Sequence, residues 1–274
     1  MKKENIISLK KEYIEHIGSV LNYSPNTINS YGRDLEFFIK FCNKIKINSI
    51  SILDEKIIRD FVSHLHRNGI SPKSIKRNLS SLRGFFNFLL RKKLIYKNFA
   101  ENIKSPKAEK HLPEVLQHKD IDLLASKSHK KEGTYKNQDL LIRDLAIFEL
   151  FYSSGLRLSE LSDVQFSNIN FSDAIIRIIG KGKKTRLIPL GSKAIEAIKA
   201  WIEIRKKFDT KNSEHIFIGT NGKKLSTRSV QLRMNLLAKA SGIEQNLYPH
   251  KLRHTVATHL LESSGNIRAV QEFL

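Results

Sequence analysis

A single cysteine, Cys42, stands among 274 residues. A lone thiol excludes an internal disulfide and argues against a metal centre held by thiolates. Long apolar runs are missing too. A membrane-spanning helix needs roughly 20 consecutive apolar residues, and no stretch approaches that. The opening Met1-Lys2-Lys3-Glu4-Asn5 is charged, but the apolar segment of a secretory leader does not follow. These absences predict a soluble cytoplasmic protein with no membrane insertion. Acidic residues are also short, 27 against 48 Lys and Arg, which leaves a formal charge of +21. Charge on that scale says little about fold and much about partners. It selects a polyanion: nucleic acid first, an anionic membrane surface second. The basic residues are spread along the chain, so a solvated lysine-rich surface accounts for part of the excess. Hydrophobic residues make up 40%, enough for a core, and the length suits one or two domains at roughly 100–200 residues each.

The first hundred residues carry apolar side chains at helical spacing. Leu9, Tyr13, Ile17 and Val20 mark one helix over residues 6–21. Ser24-Pro25-Asn26-Thr27 then opens a second, because serine caps well and proline is favoured at the first helical position. A third covers Glu55 to Arg67, and Ser71-Pro72-Lys73-Ser74 opens a fourth that runs to about Lys92. The fourth sets Lys73, Lys76, Arg77 and Arg83 beside its apolar stripe. Such a face suits DNA phosphates, although a basic helix face is more often simply solvated. Residues 97–113 lack periodicity and hold two prolines, Pro106 and Pro113, as a linker would. The domain boundary is set at Lys107, giving domains 1–107 and 108–274. Beyond it the spacing predicts a helix over 139–153 and a β-hairpin over 173–190, turning at Gly180-Lys181-Gly182-Lys183. Helices follow at 192–207, 227–241 and 250–263, with a short strand and turn over 216–222 and a last helix opening at Ile267. The fold expected is mainly α with a small antiparallel β-sheet.

Three separated segments can carry chemistry. Arg157 follows a glycine turn in Ser154-Gly155-Leu156-Arg157-Leu158-Ser159-Glu160-Leu161. Lys181 sits at the tip of the basic hairpin. His250 and Arg253 lie one helical turn apart in His250-Lys251-Leu252-Arg253-His254. Each has an ordinary reading: helix capping, a plain hairpin turn, a solvated helix start. Together they can do more. Two arginines can fork onto one phosphate and neutralise charge growing in a transition state. A lysine can protonate a leaving oxygen, and a histidine can relay a proton. This is phosphoryl-transfer chemistry without metal or cofactor, and it lacks a nucleophile.

These segments, with Ile179-Gly180-Lys181-Gly182-Lys183-Lys184-Thr185-Arg186 and Pro249 to Leu261, resemble the signature boxes of the tyrosine recombinase (phage integrase) family. The likeness covers nearly the whole chain. It is strongest toward the Xer group, and the final segment Glu262 to Leu274 is most like its XerC branch. The resemblance implies a C-shaped two-domain DNA clamp, with an N-terminal helical bundle that binds core DNA and a C-terminal catalytic domain. Arg157 and Arg253 would be the phosphate clamp, Lys181 the general acid, His250 the proton-handling histidine and Glu160 a supporting residue. In the family a Gly-His pair and then the nucleophilic tyrosine follow the position of Leu274, so residues 1–274 are expected to bind DNA without cutting it. Tyr152 and Tyr248 do not stand at the family position. The implied partners are a double-stranded recombination site, a homo- or hetero-tetramer with a sister Xer recombinase, and a DNA translocase active at cell division. The implied role is chromosome-dimer resolution, and mobile-element integration shares its chemistry.

Other classes fit less well. A cleavage-incompetent module that occupies a recombination site, or partners a full-length recombinase, needs the same clamp and no nucleophile. A type IB topoisomerase shares the mechanism but not the Xer-like boxes. A zinc hydrolase on His250 and His254 would want glutamate where Lys251 stands.

Overall fold

The structure, a computed structural model, describes residues 5–47, 49–107, 115–126, 137–180 and 185–274. The chain divides into two compact units, 1–111 and 112–274. No helix among the described residues is long and apolar enough to cross a membrane.

The first unit is a bundle of α1 (Ile6–Ser19), α2 (Pro25–Lys44), α3 (Glu55–Arg67) and α4 (Pro72–Arg91). Its helix starts follow the capping chemistry of the sequence. Ser24 Oγ accepts from the Thr27 N–H at 3.2 Å and Ser71 Oγ from the Ser74 N–H at 3.3 Å, each with proline at the first helical position. Leu9, Tyr13 and Ile17 of α1 meet Phe38, Phe61 and Phe86 in one core. Tyr13 packs edge-on against Phe85 at 5.6 Å. Helix α1 comes so near that a Cβ on Gly84 would collide with the Tyr13 hydroxyl.

The segment expected to be a linker packs in part. Phe99, Ala100 and Ile103 belong to the helical core. Arg83 donates to the carbonyl oxygens of Ala100 and Ile103 at 3.0 and 2.7 Å. Asn98 donates to the Arg83 carbonyl and to Asn87 Oδ1. Side chains supply the hydrogen bonds that a regular element would make for itself, so absent periodicity did not mean absent order.

The second unit is built on α6 (Gln138–Ser154), whose Ile147, Phe148 and Phe151 are fully buried. Around it lie α5 (His118–Ala125), α7 (Leu158–Ser162), α8 (Ser192–Arg205), α9 (Thr227–Ala240), α10 (Pro249–Ser264) and α11 (Ile267–Phe273). An antiparallel sheet in the order β1-β2-β3 joins them: β1 (Ile169–Asn170), β2 (Ile175–Ile179) and β3 (Thr185–Pro189). Ile176 and Ile178 face the core while Arg177 and Ile179 face outward, the alternation a half-buried strand requires. Buried Asp144 ties α6 to α9, accepting from Arg143 at 2.8 Å and from Arg233 at 2.6 Å.

The strand expected over 216–222 does not form. Ile216, Phe217 and Ile218 are buried as an apolar run should be. Their backbone makes only isolated bridges: side chains take the carbonyl oxygens of Ile216 and Ile218, and that of Phe217 accepts from the Leu225 N–H. Ile216 O accepts from Trp201 and Arg205, and Ile218 O from Arg143. Short α5 and α7 were not expected; each is too short to show a periodic stripe.

Candidate active site

The site begins where α6 ends. Gly155 adopts the left-handed conformation, φ +55°, and its N–H closes the helix on the Phe151 carbonyl at 2.8 Å. An added Cβ there would be strained by that φ and would run into the Leu274 side chain. Leu156, fully buried, pins the turn. Arg157 then stands at the N-cap of α7, its side chain 53% exposed. Glu160, one turn on, accepts from the Arg157 N–H at 2.8 Å and from Arg157 Nη1 at 3.0 Å. One carboxylate therefore caps the helix and holds the arginine.

Glu160 is shared. Arg186 of β3 donates from Nη2 to Glu160 Oε2 at 2.8 Å. Burial pushes the Glu160 carboxyl pKa up. The hydrogen bonds from Arg157 and the charges of Arg186 and Arg157 outweigh it and leave the pKa below its ordinary value. Arg253, on α10, donates to the carbonyl oxygens of Gly155 and Leu274. Its guanidinium pKa is depressed first by burial and then by repulsion from Arg157 and Arg186, with Glu160 pulling the other way. Three arginines from distant parts of the unit thus act on one another across one carboxylate. Arg157, Glu160 and Arg186, with Arg177 and His215, line a cavity of about 1020 Å³.

His250 is exposed in the first turn of α10, three residues before Arg253. Lys181 lies outside the described residues. Lys251, between the histidine and the arginine, points inward: it is 1% exposed and donates to Gln245 Oε1 at 2.6 Å. Arg186 was not singled out from sequence. A signal existed, since it falls on the strand returning from the Lys181 turn, but one arginine in a basic hairpin is not distinctive. In the first unit Lys73, Lys76 and Arg77 are exposed along α4. Arg77 is also tied to buried Asp34 of α2 at 2.8 Å, and Arg83 is occupied by the two carbonyl contacts above.

Tyr152 donates to or accepts from His259 Nδ1 at 3.0 Å, and His259 Nε2 meets the Leu116 carbonyl oxygen at 3.1 Å. That carbonyl can only accept, so Nε2 carries the proton and Tyr152 is the donor. His118, His259 and Glu262 bring possible ligand atoms within 4.8 Å of one another. The two imidazoles stack at 3.9 Å, nearly parallel, and both His259 nitrogens are engaged. In-plane lone pairs of stacked rings do not converge on one ion, so the cluster is a packing device.

Residues 114–274 match the phage integrase family, and residues 11–93 match the phage integrase N-terminal SAM-like domain. Tyrosine recombinase XerC of Pseudomonas fluorescens is 41% identical over 266 residues, 96% of this chain and 85% of that protein. Tyrosine recombinase XerC of Alcanivorax borkumensis is 39% identical over 98% of this chain and 86% of that protein. Among solved structures, XerH site-specific recombinase bound to palindromic difH substrate is similar at a TM-score of 0.76 and 22% identity, covering 98% of this chain and 77% of that one. Tn1549 transposon integrase in complex with transposon right end DNA gives 0.78 at 18% identity, with 98% and 90% covered. Those two likenesses bear on fold. The family matches and the XerC identities settle membership: the chain belongs to the phage integrase family of tyrosine recombinases.

Proposed function

We propose that this protein is a site-specific DNA recombinase that cuts and rejoins strands through a 3′-phosphotyrosyl intermediate, resolving chromosome dimers at cell division. The observation that carries the reading is the meeting of Arg157 and Arg253 around Glu160 and Arg186, a concentration of positive charge beside an open cavity. Arg157 and Arg253 would hold the non-bridging oxygens of the scissile phosphate. A tyrosine oxygen forms a bond to phosphorus as the bond to the 5′-oxygen breaks, and Lys181 gives that oxygen its proton. His250 handles the proton of the attacking group. The 5′-hydroxyl of a partner duplex then attacks the phosphotyrosine and releases it. The link conserves the phosphodiester bond energy, so neither ATP nor metal enters.

The partners proposed are a double-stranded recombination site, a sister Xer recombinase in a homo- or hetero-tetramer, and a DNA translocase at division, all in the cytoplasm. The names of the XerC relatives support this role. Residues 1–107 would bind core DNA through α2 and α4 and residues 108–274 would carry the chemistry.

Footprinting on sheared genomic DNA finds the site. A nicked duplex carrying it then traps a covalent protein–DNA adduct. Absence of any protected site, or of any adduct, would sink the function.

A further inference from the structure

We propose that Arg186 is a positioning residue of the phosphate clamp, acting on Arg157 through the carboxylate they share. This deepens the recombinase reading and rests on it. Glu160 is 8% exposed and offers two oxygens. Oε1 takes Arg157 Nη1, and Oε2 takes both the Arg157 backbone N–H and Arg186 Nη2. A carboxylate facing Arg157 alone would turn both oxygens onto its guanidinium in the bidentate pairing arginine favours. That would draw Arg157 off the cavity and cancel its charge. Arg186, together with the Arg157 N–H, prevents both by holding Oε2.

The position of Arg186 is fixed from behind, because β3 pairs it with Ile178 of β2, a core residue. Its side chain is 24% exposed and lines the same cavity as Arg157. Its Nε is buried with no protein partner among the described residues, so the guanidinium is not consumed by the fold. Arg186 also sets the charge of the clamp. Arg157, Arg186 and Arg253 against Glu160 leave a net +2 (3 − 1), and without Arg186 it falls to +1 (2 − 1). Reduced positive charge matters most when negative charge on the phosphoryl oxygens peaks, so the loss should appear in the chemical step.

The test is single-turnover cleavage of the nicked duplex by the protein. Removing a direct donor to such a transition state costs about 10²–10³ in rate. Arg186→Gln, one contact removed, should slow cleavage about 10–100-fold with site affinity nearly unchanged, and Arg186→Lys should recover part of the loss. The decisive substrate carries a neutral methylphosphonate at the scissile position, where less charge must be neutralised. There the gap between the unaltered protein and Arg186→Gln should shrink to about threefold or less. An equal loss on both substrates would make Arg186 a mere strut of the hairpin and overturn the proposal, as would unchanged cleavage by Arg186→Gln. If Arg186→Gln melts early, Arg186→Lys carries the same comparison. Failure of the unaltered protein to form any adduct is a separate result: it removes the recombinase reading, and this role with it.

Discussion

Asp34 offers a quantitative test of how burial and pairing compete. It is 1% exposed in the first unit, with Oδ1 on Arg77 at 2.8 Å and Oδ2 buried without a partner among the described residues. Burial raises its pKa from 3.8 to about 6, against the opposing charges of Arg77 and Arg33. Desolvation therefore wins over the ion pair. The folded state holds the proton more tightly than the unfolded chain, so stability declines as pH rises from about 4 to 6 and stays lower above that. Two pKa units correspond to about 3 kcal/mol, an upper figure because Arg77 reaches solvent. Asp34→Asn keeps an oxygen for Arg77 and removes the buried charge. The variant should match the parent near pH 4 and exceed it by about 1–3 kcal/mol at pH 7.5. Urea titrations of both proteins across that range read the difference directly. A stability difference that does not change with pH would refute the reasoning, and a variant less stable by over about 1 kcal/mol at pH 7.5 would show that the ion pair dominates.

Arg83→Ala should destabilise the first unit by about 2–3 kcal/mol in urea melts, since two buried carbonyl oxygens lose a charged donor. Where folded, it should leave the salt dependence of DNA binding unchanged, whereas Lys76→Ala should lower that slope by about 1 if it contacts a phosphate. Gly155→Ala should cost more than about 1 kcal/mol through its positive φ and the crowding by Leu274, and should slow cleavage by displacing Arg157; equal rates would separate the turn from the site. The His259 pKa is lowered first by burial and then by His118, so the fold favours its neutral form. Stability from this group is present above the unfolded pKa of 6.5 and is lost as pH falls through the lower folded value. His259→Gln should blunt that acid-side loss in thermal melts from pH 7.5 to 5, and an unchanged profile would remove His259 from the account.

Much of the fold was legible because its signals are local. Ser24-Pro25 and Ser71-Pro72 declare helix starts through one side-chain oxygen and one fixed φ, and the alternation of Ile176 and Ile178 with Arg177 declares a strand. Other elements were hidden because their determinants are distant. Residues 216–218 read as a strand, but Trp201, Arg205 and Arg143 take the carbonyl oxygens of Ile216 and Ile218. Residues 98–103 read as linker, but Arg83 gathers them onto the bundle. The site shows the same division. Arg157 and Arg253 stood out through their neighbours in sequence. Arg186 could be found only once Glu160 was seen to have a second oxygen to fill.

What separates a working arginine from a structural one is how many of its five N–H donors the fold has already taken. Arg205 gives its donors to Asp209, Ser213, His215 and Ile216, and is 5% exposed. Arg143 is spent on Asp144 and Ile218. These arginines add to the charge of the chain and can give nothing to a ligand. Arg157 gives Glu160 a single side-chain contact at 3.0 Å and leaves 53% of its side chain exposed. Net charge therefore points to a polyanion without saying where it is held. The incomplete hydrogen bonding of Arg157 beside one cavity supports the place proposed for it, because a donor left short in the free protein is one that a phosphate oxygen can satisfy.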